Sequence, residues 1–389
     1  MRIAIFGLTI SSSWGNGHAT LWRGLCKALA RLGHRVVFFE HNQPYYAHTR
    51  DWQQLPGGEL VLYESWAEIA PRVESELHDA DAAIVTSYCP DALPARDAIM
   101  AAAHPVSVFY DLDTPVTLDR MRCGEQVPYI DGAGLSAYDL VLSYTGGAAL
   151  EELRTYLGAR RVRALYGHVD PELHHPVERE PRYIADLSWL GTFARDRQAM
   201  LEALFVEPAR RCPQRKFLLG GAQYPHDFPW TDNVYFVQHV LPERHAAFFS
   251  SSRLTLNVTR AAMARMGWCP SGRLFEAAAC GAAIVTDEWS GLSDFYEPGS
   301  QIRIARSADD IVAALDLDDA TLRRMGRAAR ERTLDEHTSA RRAQSLVHYI
   351  EEAGGSDNAG DRSGRGSRQS HPTAGVLQGA AASRRPHAR

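Results

Sequence analysis

A chain of 389 residues is too long for one compact core and comfortable for two domains. Apolar residues make up 45% and charged residues 23%, an ordinary globular balance, and the net charge of −5 argues against an electrostatic grip on nucleic acid. No apolar run approaches the roughly 20 residues that span a bilayer, so no integral membrane segment is expected.

The six cysteines are scattered without a CxxC pair, which argues against a zinc site or a disulfide framework and fits a reducing cytoplasm. The opening MRIAIFGL reads as a first strand and not as a signal peptide. Five further runs follow it: RVVFFE, LVLYES, DAAIVTSY, VSVFYDLD and DLVLSY. Nearly continuous apolar strands belong to parallel sheets covered by helices on both faces. Helical stretches such as TLWRGLCKALARLG and DALPARDAIMAAAH lie between them, so the series reads as βαβ units winding a doubly covered sheet.

Prolines and charges crowd at residues 166–183, as at a domain linker. A second series then runs ADLSWLGT, KFLLGG, VYFVQHV, LTLNVTR, AAIVTD and IRIA. The expected architecture is α/β: two Rossmann-like domains, 1–170 and 171–353, facing a cleft. From residue 354 the chain turns rich in Gly, Ser and Arg and almost devoid of aliphatics, and it reads as a disordered tail over 354–389.

After the first strand, Gly15 and Gly17 flank Asn16 just ahead of a helix, a turn that brings backbone N–H groups and a helix N-terminus up to a ligand. The loop is too long for a dinucleotide fingerprint, the third glycine is missing, and Glu40 at the end of the second strand is weak support for one. His18 opens the helix, where an imidazole could take a proton from an acceptor hydroxyl or could simply pack the helix start.

In SGRLFEAAACGAAIVTD, Ser271 is a natural N-cap, the alanines favour helix and Gly281 is a natural stop before the next strand. Glu276, within about two turns of the helix start, can accept two hydroxyl hydrogen bonds such as a ribose diol offers. Arg273, one turn earlier, is placed to meet a diphosphate together with the helix dipole. By spacing alone, Glu276 is equally a salt-bridged helix residue.

Those residues carry a resemblance. RLFEAAACGAAIVTDEWSGLSDFYEPGSQI resembles the nucleotide-sugar segment of GT-B glycosyltransferases, and Pro270 to Gly281 with Phe295 to Gly299 is most similar to the spore-maturation CgeB-like group. GNGHATLWRGLCKALARLGHRVVFF resembles, more loosely, the glycine–histidine loop and first helix of many such enzymes. The resemblance implies a metal-independent glycosyltransferase, with no cofactor, that moves a sugar from a nucleoside-diphosphate donor, UDP or dTDP linked, to an acceptor hydroxyl. Residues 1–170 then form the acceptor domain and 171–353 the donor domain. Glu276 would bind the donor ribose; Gly191 with Arg195 or Arg197 would face the diphosphate; Gly221 would allow close backbone approach; and Gln238, His239 and Val240 would read the base. The Gly15–Asn16–Gly17 loop would face the sugar or acceptor, whose nature, small molecule, glycan or protein, stays open.

One position departs from the pattern. Retaining enzymes of this type carry a second glutamate eight residues before the first, and position 268 is Trp268. In YDLDTP, Asp111 and Asp113 have the spacing of a metal-binding pair, although an acceptor-side carboxylate or a structural turn is the better reading; Asp113 is the alternative base to His18. An epimerase or hydrolase on the same fold, and a non-catalytic sugar-nucleotide-binding or coat-associated protein, remain open at this stage.

Overall fold

The computed structural model describes residues 1–102 and 104–360, with side chains as far as residue 355. The first sheet has seven strands: β1 (Arg2–Gly7), β2 (Arg35–His41), β3 (Glu59–Tyr63), β4 (Ala82–Thr86), β5 (Val106–Asp111), β6 (Leu140–Ser143) and β7 (Val162–Ala164). The second has six: β8 (Ala185–Leu190), β9 (Phe217–Gly221), β10 (Val234–Gln238), β11 (Ser252–Asn257), β12 (Ala283–Thr286) and β13 (Ile302–Ile304). Every pairing is parallel, in the orders β3-β2-β1-β4-β5-β6-β7 and β10-β9-β8-β11-β12-β13. The twelve apolar runs read from the sequence are all strands; β7, three residues long, is an addition.

Each sheet is buried on both faces. Phe6, Phe39, Val85 and Phe109 face one core of the first domain, and Ile5, Phe38, Ile84 and Val108 face the other. In the second domain Leu190, Leu218 and Ile284 face one side, with Leu187, Leu219 and Val285 on the other. Strand order reverses between β1 and β4 and again between β8 and β11. Ligands of open α/β sheets bind outside the strand C-termini at such switch points, and a single cleft is lined by residues that follow both.

The chain crosses between the domains twice. Val169, in the connection after β7, runs beside Thr338, donating to the carbonyl of His337 and accepting from Ser339 N–H. The closing helix Ser339–Gly360 then leaves the second domain, and its Ala343, Leu346, Ile350 and Ala353 join the core beneath the first sheet. This helix runs past residue 354, where the tail was expected to begin, because its apolar stripe is buried against the helix His18–Arg31. The rest of that tail, 361–389, lies outside the described residues.

Candidate active site

The long loop after β1 is held by a buried carboxylate. Glu40, at the end of β2, accepts from Thr9 Oγ1 at 2.8 Å, Ile10 N–H at 2.8 Å and Ser11 N–H at 3.0 Å. It is therefore occupied by the loop and not presented to a ribose. Asn16 builds the turn: its amide donates to the carbonyls of Thr9 and Ser12, and its oxygen accepts from His18 N–H at 3.1 Å. Gly15 takes a positive φ of 62° there.

That turn sets His18 at the first position of its helix, on the cleft wall. Its Nε2 lies 3.9 Å from Oδ1 of Asp113, which arrives from the loop after β5. The other Asp113 oxygen accepts from the Tyr88 hydroxyl at 2.9 Å and lies 3.8 Å from the Arg260 guanidinium of the second domain. Asp111 points the other way. It is fully buried, and its Oδ1 accepts from Asp113 N–H and the Thr117 hydroxyl, so the two carboxylates do not converge on a common point in the cleft. Burial pushes the Asp111 carboxyl up to about 6.

On the facing wall, Ser271 caps the helix Gly272–Ala279 by accepting from Arg273 N–H, and Gly281 follows at a φ of 72°. Glu276 and Arg273 both line the cleft. Burial opposes ionisation of Glu276, but His174, His245 and Arg273 outweigh it and hold the carboxyl down at about 2. The Arg273 guanidinium lies 4.4 Å above the Trp189 ring and that of Arg197 lies 5.2 Å from the same ring. Arg273 reaches only Asn257 Oδ1 at 3.4 Å and Ser271 Oγ at 3.5 Å, and Arg197 donates to the Thr192 carbonyl. Burial, then the neighbouring Arg197, pulls Arg273 down to about 10, and burial likewise lowers Arg197. Among the described residues, neither arginine has a carboxylate oxygen within 4.0 Å. Two neighbouring half-buried cations, neither salt-bridged to a carboxylate, make a site for an anion.

Two glycines keep this wall open. A Cβ on Gly191 would sit 2.8 Å from Arg273 Nη2, and one on Gly221, at φ 155°, would meet the Gly191 carbonyl oxygen at 2.0 Å. His239 N–H is taken by the Gly221 carbonyl, and the Val240 carbonyl by His245 Nε2 at 3.1 Å.

The cleft encloses about 560 Å³. Of the residues expected from sequence, Gly15, Asn16, Gly17, His18, Asp113, Gly191, Arg197, Gly221, His239, Val240, Arg273 and Glu276 all line it. Arg195 and Gln238 do not: both are exposed, Arg195 at the outer start of its helix and Gln238 at the end of edge strand β10. Sequence reasoning missed His168, His245 and Gln223, which line the cleft, and His174 behind them. Only the HH pair in the linker hinted at His174.

Trp268 explains the departure noted above. It takes a φ of 45°, its carbonyl accepts from Gly146 N–H of the first domain at 2.9 Å, and its indole N–H donates to Asp294 at 2.6 Å. A Cβ on Gly147 or Gly291 would fall 2.5 and 2.4 Å from the indole ring. The position works as a spacer between the domains.

Residues 197–348 match the family model described as "Glycosyl transferase-like". No curated protein matches the sequence. Among solved structures, the sucrose-phosphate synthase of Thermosynechococcus elongatus superposes with a TM-score of 0.64 at 16% identity, covering 91% of this chain and 99% of that one. HepE of Anabaena, solved with UDP-glucose, gives 0.61 at 12% identity, covering 90% and 100%. Trehalose-6-phosphate synthase OtsA gives 0.59 at 11%, covering 90% and 99%.

The fold is GT-B. With the family match over residues 197–348, the chain is an enzyme of the glycosyltransferase class, EC 2.4. Among the described residues of this GT-B protein, no helix is long and apolar enough to cross a membrane.

Proposed function

We propose that the protein transfers a sugar from a UDP-linked donor to an acceptor hydroxyl, without a bound metal, in the cytoplasm. One observation carries the reading: Arg197 and Arg273, half-buried over Trp189 and salt-bridged to no carboxylate, stand beside the ionised Glu276 of a capped helix. A nucleoside diphosphate supplies the missing anion, and its ribose diol supplies two donors for the carboxylate. As the bond to the sugar breaks, the same cations stabilise the diphosphate leaving group. His18, with Asp113 behind it, faces the donor wall and serves the acceptor hydroxyl as base. The stretch Pro270 to Gly281 favours the CgeB-like group within this architecture. HepE, with the same fold, was solved with UDP-glucose, which makes UDP the first nucleotide to try.

Thermal-shift screening against UDP, dTDP, GDP and ADP tests the reading. A rise in melting temperature with UDP that Arg273→Ala abolishes supports it; indifference to all four nucleotides overturns it.

A further inference from the structure

Three side chains from three separate elements converge behind the cleft wall. His174 comes from the interdomain connection, His245 from the helix Pro242–Ser251 and Glu276 from the helix Gly272–Ala279. His174 Nε2 is 3.4 Å from His245 Nδ1 and 4.0 Å from a Glu276 oxygen, and His245 Nδ1 is 3.5 Å from the other Glu276 oxygen.

The tautomer of His245 follows from its outer nitrogen. Nε2 lies 3.1 Å from the Val240 carbonyl oxygen and must donate to it, so neutral His245 turns the lone pair of Nδ1 toward the carboxylate. That lone pair, the His174 Nε2 3.4 Å from it and the carboxylate oxygen 3.5 Å away enclose a space that either a shared proton or a metal ion fills. A metal-bound imidazole also characteristically donates its outer N–H to a backbone carbonyl, which fixes the ring. Ligands at about 2.0–2.2 Å around a tetrahedral ion stand about 3.3–3.6 Å apart. The 3.4 and 3.5 Å spacings already match, and with one ligand atom from each residue inside 4.8 Å, turning the carboxylate toward the two rings closes the rest.

We propose that His174, His245 and Glu276 form a three-ligand site for a divalent transition ion, Zn²⁺ by its donor set, and that the ion competes with the donor nucleotide for Glu276. Two imidazole nitrogens and one carboxylate suit Zn²⁺ and disfavour Mg²⁺ or Ca²⁺, which seek oxygen ligands. His245 and Glu276 line the cleft, so a fourth coordination position opens into it. Cysteine spacing could not reveal such a site, because none of its ligands is a cysteine. The competition, unlike the site, rests on the ribose reading of Glu276: an ion held there removes the acceptor that the diol needs, and zinc then acts as an inhibitor.

The full-length protein, stripped of metal, is titrated with ZnCl₂ by calorimetry and with Co²⁺ by visible absorption. The parent should bind one equivalent of Zn²⁺ at least tenfold more tightly than His245→Ala, and Glu276→Gln should fall between them. Co²⁺ should give the intense bands of four-coordinate geometry in the parent and lose them in His245→Ala. Equal Zn²⁺ affinity in parent and His245→Ala, or a weak six-coordinate Co²⁺ spectrum in the parent, overturns the site. Zn²⁺ should weaken UDP binding by the parent; UDP affinity indifferent to Zn²⁺ overturns the competition. UDP binding without metal is read on separate samples, so failure of the nucleotide reading is distinguishable from failure of the metal site.

Discussion

His18 and Asp113 meet 3.9 Å apart on the cleft wall, one from the helix after β1 and the other from the loop after β5. The carboxylate is also reached by Tyr88 and approached by Arg260, so it is held in place while the imidazole is freer to turn toward an acceptor. In the proposed reaction His18 is the base and Asp113 its orienting carboxylate, and the ring has to turn to close a gap longer than a hydrogen bond.

His18→Ala should therefore lower turnover by about 10²–10⁴ with nucleotide affinity nearly unchanged. Asp113→Asn should lower it less, since the imidazole remains. UDP release from UDP-glucose, in the presence of an acceptor that supports turnover, measures both. If Asp113→Asn loses turnover while His18→Ala keeps most of it, the base is Asp113.

Glu276 should matter to binding in its own right. UDP should raise the melting temperature of the parent through linkage, and Glu276→Ala should weaken its binding by about 2–3 kcal/mol, the scale of lost charge-assisted hydrogen bonds. Calorimetry with UDP decides the matter: equal affinity in parent and variant removes the ribose from this carboxylate.

Much of this was legible in the chain, for physical reasons. Strands buried on both faces print as apolar runs, so β1 to β6 and β8 to β13 could be read directly, whereas the three residues of β7 carry too short a pattern. Glu276 and Arg273 were legible because a cap, an alanine-rich helix and a stop lock their positions locally. His174 and His245 were not, because only the packing of a linker against two helices brings them together, 71 residues apart. The docking of the closing helix on the first domain was hidden likewise, since an apolar stripe states that a helix is buried but not against what.

The Asp111 carboxyl makes stability depend on pH. Its folded pKa, about 6, lies above the ordinary carboxyl value of 3.8, so the folded state binds the proton more tightly. That favourable difference is fully present below about pH 4 and disappears as pH rises through 6, at a scale of up to about 3 kcal/mol. Asp111→Asn removes the titration, so its stability relative to the parent should improve between pH 4.5 and 8 (approximate limits set by the two pKa values). Denaturation midpoints at the two ends check this, and a difference independent of pH refutes the buried charge. Transfer should also survive EDTA in parent and variant alike; a loss restored by magnesium would make YDLDTP a metal site after all.

Arg273 should set stability against function. In the free protein it sits half-buried beside another cation, and its guanidinium over Trp189 recovers only part of what water provided. Arg273→Met keeps an apolar stem on the indole and removes one of the two charges. The variant should melt at or above the parent temperature without ligand, and its UDP-induced rise should vanish. Gly191→Ala approaches the same site from the other side, since its methyl would press within 2.8 Å of Arg273 Nη2 and displace the guanidinium while leaving its charge. It should weaken UDP without the gain in stability. Were Arg273→Met to unfold at a clearly lower temperature, the arginine would be a structural tie within the second domain, and the anion site would have to rest on Arg197 alone.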